Sequence, residues 1–249
     1  MALMQCSFFS DVLGVTTHAN VILPQEATLA GKRMPVLYLL HGRSDDETAW
    51  LRWSAIERHA TEHGIAVVMP NAGRSFYTDQ VVGYDYFSFI SEELPRVMQG
   101  FFPLSSEPAD TFVAGLSMGG YGALKWALNK PDSIAAAASL SGALDVAIRE
   151  RDAEWLANHG SLEQAQAKGD DLFALVASLD PASVPPLFAW CGTEDHLIEE
   201  NRRFRDAADG AGLPLTYSEG PGGHDWARWD EQIQHVLDWL PRRRPAGAA

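Results

Sequence analysis

The stretch Thr111-Phe-Val-Ala-Gly-Leu-Ser-Met-Gly119 decides the fold of this chain. Residues 111–115 are largely apolar and predict a buried strand, and the segment 118–129 that follows has a helical pattern. Ser117 stands in the turn between them, with a glycine two residues away on each side. A serine exposed in a sharp strand-to-helix turn needs small neighbours, so this spacing is typical of a nucleophile elbow. The N–H groups at the start of the helix would also face a developing oxyanion.

Strand and helix patterns alternate on both sides of this elbow. Residues 4–10 and 17–23 indicate two short strands joined by a turn, which predicts an opening antiparallel hairpin. The later predicted strands are residues 35–40, 65–69, 111–115, 134–140, 187–191 and 215–219. The predicted helices are residues 44–63, 84–99, 118–129, 197–208 and 226–240. The alternation predicts parallel βαβ units, so the fold class is α/β, with helices on both faces of a mostly parallel central sheet.

The first predicted helix has recognisable signals at both ends. Ser44-Asp-Asp-Glu47 matches a capping box, in which the serine caps the helix and the glutamate bonds back to it. Gly64 is expected to end the helix in the left-handed conformation that glycine adopts readily.

Length and spacing predict a single domain over residues 1–249 that carries one insertion. Residues 143–186 separate two predicted strands and are too many for a plain crossover helix. Insertions in such sheets emerge near the carboxyl ends of the strands, where ligands bind, so this one is predicted to be a small helical cap. A decorated crossover without functional contact is the alternative. Residues 241–249 are expected to form a disordered tail.

Composition limits the partners and the compartment. The chain has 19 Lys and Arg against 33 Asp and Glu, a formal net charge of −14. This charge disfavours nucleic acid and anionic membranes as partners, because both are negative. The apolar runs are shorter than the roughly 20 residues that span a bilayer, and the N-terminus does not resemble a signal peptide. We therefore expect a cytoplasmic protein that acts on a small molecule, and a homo-oligomer is left open.

A nucleophilic serine needs a base, and the base needs an orienting acid. After an elbow of this kind the acid and then the histidine follow along the chain. The histidines that follow the elbow are His159, His196, His224 and His235. His224 lies in the glycine-rich segment 221–226 between the last predicted strand and helix, where a loop can aim an imidazole at Ser117. His224 is therefore the predicted base.

The predicted acid follows the strand at 187–191. Asp195 stands just ahead of a predicted helix, and Glu194 competes with it. Asp225 is the neighbour of His224, and its side chain would need an awkward path back to the same ring. We therefore favour Asp195.

Two backbone N–H groups are needed to hold an oxyanion. One is expected from Met118, the residue after the candidate nucleophile. The other is expected from the loop after the strand 35–40, with Arg43 as first choice and Gly42 next. Gly42 lets the backbone approach a substrate closely. His41 is expected to have a structural hydrogen-bonding role rather than to act as a second base.

Tryptophans flank these loops. Trp50 and Trp226, with Trp53 and Trp229, either line a substrate pocket or pack helices together, and both readings remain open.

Cysteine and histidine patterns predict no metal centre. Cys6 and Cys191 lie far apart and are expected to behave as small buried hydrophobes. His59-Ala-Thr-Glu-His63 fits an H-x-x-E-H metal pattern, but Gly64 ends the predicted helix at once and no third ligand is evident. The expectation is therefore that neither a metal nor a cofactor is required.

Five motifs together resemble one enzyme family. They are Leu-Leu-His-Gly at 39–42, Ser-Glu-Glu-Leu-Pro at 91–95, Gly-Leu-Ser-Met-Gly-Gly-Tyr-Gly-Ala-Leu at 115–124, Cys-Gly-Thr-Glu-Asp at 191–195 and Gly-Gly-His-Asp-Trp at 222–226. In this order they resemble the esterase D family of α/β-hydrolases, which includes S-formylglutathione hydrolases, feruloyl esterase modules and mycolyltransferases. The nearest likeness is to its tributyrin-esterase branch of small intracellular enzymes that hydrolyse short-chain acyl esters.

The resemblance implies an α/β-hydrolase fold and a serine carboxylesterase that works through an acyl-enzyme. By that match Ser117 is the nucleophile, Asp195 the acid and His224 the base, in agreement with the reading from spacing. Thioesterase, S-formylglutathione hydrolase-like or feruloyl esterase activity is the alternative, and a non-catalytic binding protein is a further one. Arg43 stands where the family commonly has an apolar residue, and the loop after it lacks the cysteine usual in S-formylglutathione hydrolases.

Overall fold

A computed structural model describes residues 1–241, with the side chains of residues 26 and 27 left aside. From residue 242 onward, the tail expected at 241–249 lies outside the described residues. Within residues 1–241, eight strands form one sheet in the order β1-β2-β4-β3-β5-β6-β7-β8. The strands are β1 (Ala2–Ser10), β2 (Val15–Leu23), β3 (Val36–Leu40), β4 (Ala66–Pro70), β5 (Thr111–Leu116), β6 (Ala136–Leu140), β7 (Leu187–Gly192) and β8 (Leu215–Gly220).

The pairing of these strands confirms the predicted fold class. β1 and β2 form the antiparallel hairpin, and β2 pairs antiparallel with β4. From β4 to β8 every neighbouring pair is parallel. Leu40 is opposite Gly115, and Leu116 is opposite Leu140. The loops that leave β3, β5 and β6 therefore emerge side by side at one edge of the sheet.

Helices cover both faces of the sheet. The helices are α1 (Gln25–Leu29), α2 (Ala49–Trp53), α3 (Ile56–His63), α4 (Tyr86–Ser88), α5 (Leu94–Phe101), α6 (Met118–Asn129), α7 (Ala153–His159), α8 (Leu162–Ala167), α9 (Leu172–Val176), α10 (Ile198–Ala211) and α11 (Trp226–Trp239). Alternate side chains of β3 enter two cores: Tyr38 packs with α5, α6 and α10, and Leu37 packs with α2, α3 and α11. This two-sided burial explains why β3 is apolar throughout. None of the helices in residues 1–241 has the length and apolar character to cross a bilayer.

The helix predicted over 44–63 is wrong at its start. Residues 44–48 form turns, and the helical region is divided into α2 and α3. Asp46 accepts from the Thr48 N–H at 2.8 Å, and the Glu47 carboxylate accepts from Asn71 at 2.6 Å, so Glu47 is engaged elsewhere and closes no capping box. The end of the helix is as predicted, because Gly64 has φ 61° and caps α3.

The Ser-Glu-Glu-Leu-Pro motif has a structural role. Glu93 is buried in a π-helical turn between α4 and α5. Its carboxylate accepts hydrogen bonds from the Ser10 hydroxyl and, at 2.8 Å, from the Asp11 N–H. Glu93 thereby fastens the turn of the opening hairpin to the helical layer.

Candidate active site

Ser117 occupies a strained turn between β5 and α6. Its φ is 52°, a conformation that costs a non-glycine residue about 1–3 kcal/mol and clusters at functional sites. The Ser117 N–H donates to the Leu140 carbonyl at 2.9 Å, and its own carbonyl accepts from the Ala143 N–H at 3.0 Å. These bonds hold the turn against the neighbouring strand β6.

The two glycines beside Ser117 are required by close backbone packing. A Cβ at Gly115 would lie 2.4 Å from the Gly119 backbone, and a Cβ at Gly119 would lie 2.4 Å from the Leu40 carbonyl oxygen. Side chains cannot be accommodated at such distances. The expectation of a turn whose neighbours must lack side chains is confirmed.

Asp195 lies in the turn after β7 and is buried. Its Oδ2 accepts a hydrogen bond from His224 Nδ1 at 2.8 Å, and its Oδ1 accepts one from the Leu197 N–H at 2.8 Å. Burial is the largest single influence and raises the pKa of this carboxyl. The hydrogen bonds from His224, Leu197 and Ser141, together with the charge interaction with His224, outweigh it and hold the pKa below its ordinary value. Asp195 therefore faces the imidazole as an anion at neutral pH.

His224 lies in the loop between β8 and α11. Because an ionised carboxylate only accepts hydrogen bonds, the proton of the neutral ring sits on Nδ1 and leaves Nε2 as an acceptor. The ring stands edge-on to Trp229, with centroids 4.8 Å apart and planes at 88°. Trp229 Nε1 in turn donates to Ser141 Oγ at 3.1 Å. Packing and hydrogen bonding thus set both the tautomer and the orientation of His224.

The two acids that competed with Asp195 have structural roles. Asp225 caps α11 by accepting from the Arg228 N–H at 3.2 Å. Glu194 accepts from the Gly222 N–H, and this bond is the main cause that lowers its pKa. Glu194 therefore anchors the glycine-rich loop that carries His224.

Ser117 lies in the wall of a cavity beside this pair. Within residues 1–241 no hydrogen bond joins Ser117 to His224. The same wall includes His196, whose ring packs against that of His224 with centroids 4.7 Å apart. The structure therefore brings Asp195 and His224 into direct contact, and it places Ser117 in the wall of the cavity that His196, the ring neighbour of His224, also lines.

The loop after β3 is held by the buried imidazole of His41. Burial lowers the pKa of this histidine, so the ring is neutral. Its Nε2 accepts from the Ala72 N–H at 3.0 Å, which leaves Nδ1 to donate to the Gly42 carbonyl at 2.7 Å. A trans peptide directs its C=O and N–H to opposite sides, so pinning the Gly42 carbonyl also sets the direction of the Arg43 N–H. His41 therefore makes the structural hydrogen bonds expected of it.

The side chain of Arg43 is tied to the insertion. Arg43 Nε lies 2.6 Å from Glu154 Oε1, and Arg74 Nη2 lies 2.5 Å from Glu154 Oε2. Burial opposes the charge on Glu154, but these two partners hold its pKa below the usual value. We call this arrangement the Arg43–Glu154–Arg74 clamp. It joins α7 to the loops that follow β3 and β4, and it pairs the guanidinium of Arg43 with a carboxylate.

The cavity at Ser117 has a volume of about 320 Å³. Met118 and Arg43 line it on the side of the elbow. Much of the remaining wall comes from the insertion and includes Arg149, Glu154, Trp155 and His159. The insertion predicted over 143–186 carries the three helices α7, α8 and α9, and it contributes to the cavity through α7 and the segment that precedes it.

Trp50 and Trp226 lie outside this cavity lining. Trp50 is 1% exposed, and its Nε1 donates to the Leu40 carbonyl at 3.1 Å. Its ring packs edge-on against Trp226, with centroids 5.1 Å apart. This geometry favours helix packing over substrate binding for both tryptophans. The aromatic residues that line the cavity are Phe76 and Trp155, which no sequence motif singled out.

The remaining histidines that follow the elbow, His159 in the cavity wall and His235 on α11, make no contact with Asp195 among the described residues. His159 is buried, and its Nδ1 lies 3.0 Å from Asp170, which also pairs with the buried Lys125. This network fastens the insertion to α6. His235 is exposed on α11.

One group of side chains in residues 1–241 has the donor set of a metal ligand sphere. Three ligand atoms lie within 4.8 Å of one another: a carboxylate oxygen of Asp195 and one imidazole nitrogen each of His196 and His224. In the H-x-x-E-H segment, by contrast, the His63 ring bonds to the His59 carbonyl at 2.8 Å and to Asp238 at 3.0 Å.

A mostly parallel sheet that presents a serine elbow beside a carboxylate–imidazole pair defines the α/β-hydrolase class. The model of the family described as "Putative esterase" matches residues 10–240, and the chain belongs to this esterase family. It is a serine hydrolase with carboxylesterase activity.

The similar proteins cover 96–97% of the chain. An acetyl esterase from Caldicellulosiruptor saccharolyticus is 30% identical over 97% of this chain and 99% of its own length. The fluorophosphonate-binding serine hydrolase FphF of Staphylococcus aureus is 33% identical, with a TM-score of 0.89 over 97% of this chain and 99% of that one. The S-formylglutathione hydrolase FrmB from Staphylococcus aureus is also 33% identical, with a TM-score of 0.85 over 96% and 98% of the two chains.

Proposed function

We propose that Ser117, His224 and Asp195 form the catalytic triad of an esterase that acts on short-chain acyl esters. The observation that carries the proposal is the 2.8 Å hydrogen bond from His224 to the buried, ionised Asp195. Ser117 is held in a strained turn with φ 52°, in the wall of the cavity that His196 also lines. Strain at a non-glycine residue persists only where the surrounding structure enforces it, which is characteristic of functional sites.

In the first half-reaction, His224 Nε2 takes the hydroxyl proton as Ser117 Oγ attacks the ester carbonyl carbon. The carbonyl electron pair moves onto oxygen, and Asp195 stabilises the imidazolium that forms. The oxyanion then collapses, the bond to the alcohol oxygen breaks, and His224 returns its proton to the leaving alkoxide. In the second half-reaction, His224 takes a proton from water as the water oxygen attacks the acyl carbonyl carbon. The tetrahedral intermediate then collapses, the bond to Ser117 Oγ breaks, and His224 returns its proton to that oxygen, which releases the acid and restores the Ser117 hydroxyl.

The oxyanion is held by the backbone N–H groups of Met118 and Arg43. Met118 is the first residue of α6, where backbone N–H groups have no partner within the helix. Arg43 is favoured over Gly42 because the hydrogen bond from His41 to the Gly42 carbonyl sets the direction of the Arg43 N–H, and because Arg43 lines the cavity. The Arg43 side chain belongs to the clamp, so its contribution to the oxyanion is through the backbone.

Several observations support a short-chain, uncharged ester as substrate. A relative that is 30% identical over nearly the full length is an acetyl esterase. The cavity of about 320 Å³ is at the lower end of the range for ligand pockets. Glu154 pairs with Arg43, and the chain carries a net charge of −14. S-formylglutathione hydrolysis is the second candidate, because FrmB is 33% identical over almost the whole chain.

Residues 143–186 act as a cap within one domain over residues 1–249. This reading is supported by the residues of the segment that line the cavity and by the pairing of Glu154 on α7 with Arg43. The enzyme works in the cytoplasm. The free thiols of Cys6 and Cys191 suit a reducing compartment.

Hydrolysis of p-nitrophenyl acetate by the wild type and Ser117→Ala tests the proposal. The substitution is expected to lower kcat by roughly 10⁴- to 10⁶-fold while the variant stays folded. Near-wild-type activity in Ser117→Ala would overturn it. A panel of acyl chain lengths, together with S-formylglutathione, decides between the ester and thioester candidates.

A further inference from the structure

His196, the residue after the candidate acid Asp195, adds a second imidazole to the site beside that of His224. His196 lies on the rim of the cavity, and 70% of its side chain is exposed. We propose that Zn²⁺ binds between His196, His224 and Asp195 and reversibly inhibits the enzyme. The inhibition rests on the proposed role of His224 as the base, whereas the metal binding does not.

The three side chains are already close enough to share one ion. A nitrogen of each imidazole and an oxygen of Asp195 lie within 4.8 Å of one another. His196 Nδ1 is 3.4 Å from Asp195 Oδ1, and His224 Nδ1 is 2.8 Å from Asp195 Oδ2. Zinc bonds of about 2.0–2.2 Å in a tetrahedron place neighbouring ligand atoms about 3.5 Å apart. The existing separations therefore need only small adjustments.

Of the three side chains, His196 is the least constrained and is the one that would move to bind the ion. Asp195 is held by hydrogen bonds from Leu197 and His224, and His224 is packed against Trp229. His196 is exposed on the turn that precedes α10, so its imidazole can rotate toward the other two groups at low cost. A carboxylate has lone pairs beyond those its present partners use, so Asp195 can coordinate without losing all of them.

The donor set selects the kind of cation. Two imidazole nitrogens with one carboxylate oxygen suit zinc and similar transition metals, whereas magnesium and calcium prefer oxygen donors. Three protein ligands leave a fourth position for water on the cavity side, as in open zinc sites.

Either mode of coordination by His224 blocks base catalysis. If Nδ1 binds the metal, the hydrogen bond to Asp195 is lost. If Nε2 binds the metal, the lone pair that must accept the Ser117 proton is occupied. In both cases the histidine gives up its function without any covalent change, so a chelator restores it.

Zinc binding is measured first by titration calorimetry with ZnCl₂ on the Ser117→Ala protein, with and without His196→Gln. This readout needs no catalytic activity. The glutamine substitution is expected to weaken binding at least ~10-fold, because loss of even an outer-shell partner commonly costs 10- to 100-fold. His196→Asn serves as a second variant, and His235→Gln, which removes an exposed histidine from α11, is the matched control that should bind as tightly as the parent.

Inhibition is then measured on the catalytically intact chain with p-nitrophenyl acetate, each variant being normalised to its own zinc-free rate. ZnCl₂ should inhibit the wild type and His235→Gln equally, and EDTA should restore both. The half-inhibitory concentration should rise at least ~10-fold in His196→Gln.

Equal zinc affinity in the presence and absence of His196, or no binding at millimolar zinc, would overturn the site. Binding without inhibition would overturn the inhibitory role. If the wild type has no esterase activity but binds zinc in a way that depends on His196, the proposed function is refuted and the metal site is supported.

Discussion

Glu154→Gln tests whether the insertion positions the oxyanion loop. Glu154 is the shared anion of the clamp, 2.6 Å from Arg43 Nε and 2.5 Å from Arg74 Nη2. The substitution keeps the size of the side chain and removes its charge. The Arg43 side chain is then released from α7, while the backbone N–H that the mechanism uses belongs to the same residue. The expected result is a fall in kcat with little change in KM, because the oxyanion forms only after the substrate is bound.

The structure bounds the size of this effect. The exposed fractions of the Arg43, Arg74 and Glu154 side chains are 45%, 59% and 24%. Ion pairs this accessible to solvent contribute about 0.2–1 kcal/mol each. Two such pairs, if fully expressed in the transition state, correspond to a loss of roughly 2- to 30-fold in kcat/KM.

The assay compares kcat and KM on p-nitrophenyl acetate for the wild type, Glu154→Gln and Glu150→Gln. Glu150 lines the same cavity but takes no part in the clamp, so its substitution removes the same charge without releasing the loop. Added salt should lower the wild-type rate toward that of Glu154→Gln, because partly exposed pairs are screened. The reasoning is refuted if Glu154→Gln lowers kcat no more than Glu150→Gln, or if only KM changes.

Three further outcomes follow from the same geometry. The pKa of Asp195 is held below its ordinary 3.8, so the ionised form stabilises the fold above that value, and this stability is lost as the pH falls through the folded-state pKa. In denaturation experiments at a series of acidic pH values, the free energy of unfolding should depend less on pH in Asp195→Asn than in the wild type. An unchanged dependence would contradict this expectation. Gly119→Ala forces a Cβ to within 2.4 Å of the Leu40 carbonyl oxygen and should lower the free energy of unfolding by about 2–3 kcal/mol; urea denaturation that matches the wild type would show that the backbone yields. A neutral ester should be hydrolysed faster than its multiply charged anionic analogue at low salt, given the net charge of −14, and equal rates would count against this.

The order of elements and the loops that carry the site could be predicted because both follow from local patterns. The apolar runs mark the buried strands, and parallel strands bring their carboxyl ends to one edge. Ser117, Asp195 and His224 each lie at the carboxyl end of such a strand or in the loop after it. The topology alone is therefore enough to predict that Asp195 and His224 lie near each other.

The features that were missed depend on partners far away in the chain. Arg43 and Glu154 are separated by more than a hundred positions, and no local pattern relates them. The sequence makes Glu194 a competitor of Asp195, whereas in the structure Glu194 accepts a hydrogen bond from the backbone of Gly222. The capping box at Ser44 failed for a similar reason, because Asn71 engages Glu47.

The esterase mechanism is tested most directly by mapping the covalent adduct of a fluorophosphonate probe by peptide mass spectrometry. A single adduct is expected on the peptide that contains Ser117, and it should be absent in Ser117→Ala. The rate of labelling should fall by orders of magnitude in His224→Ala, because the hydroxyl then lacks its base. An adduct on another residue, or labelling of His224→Ala at the wild-type rate, would contradict the assignment of Ser117 and His224.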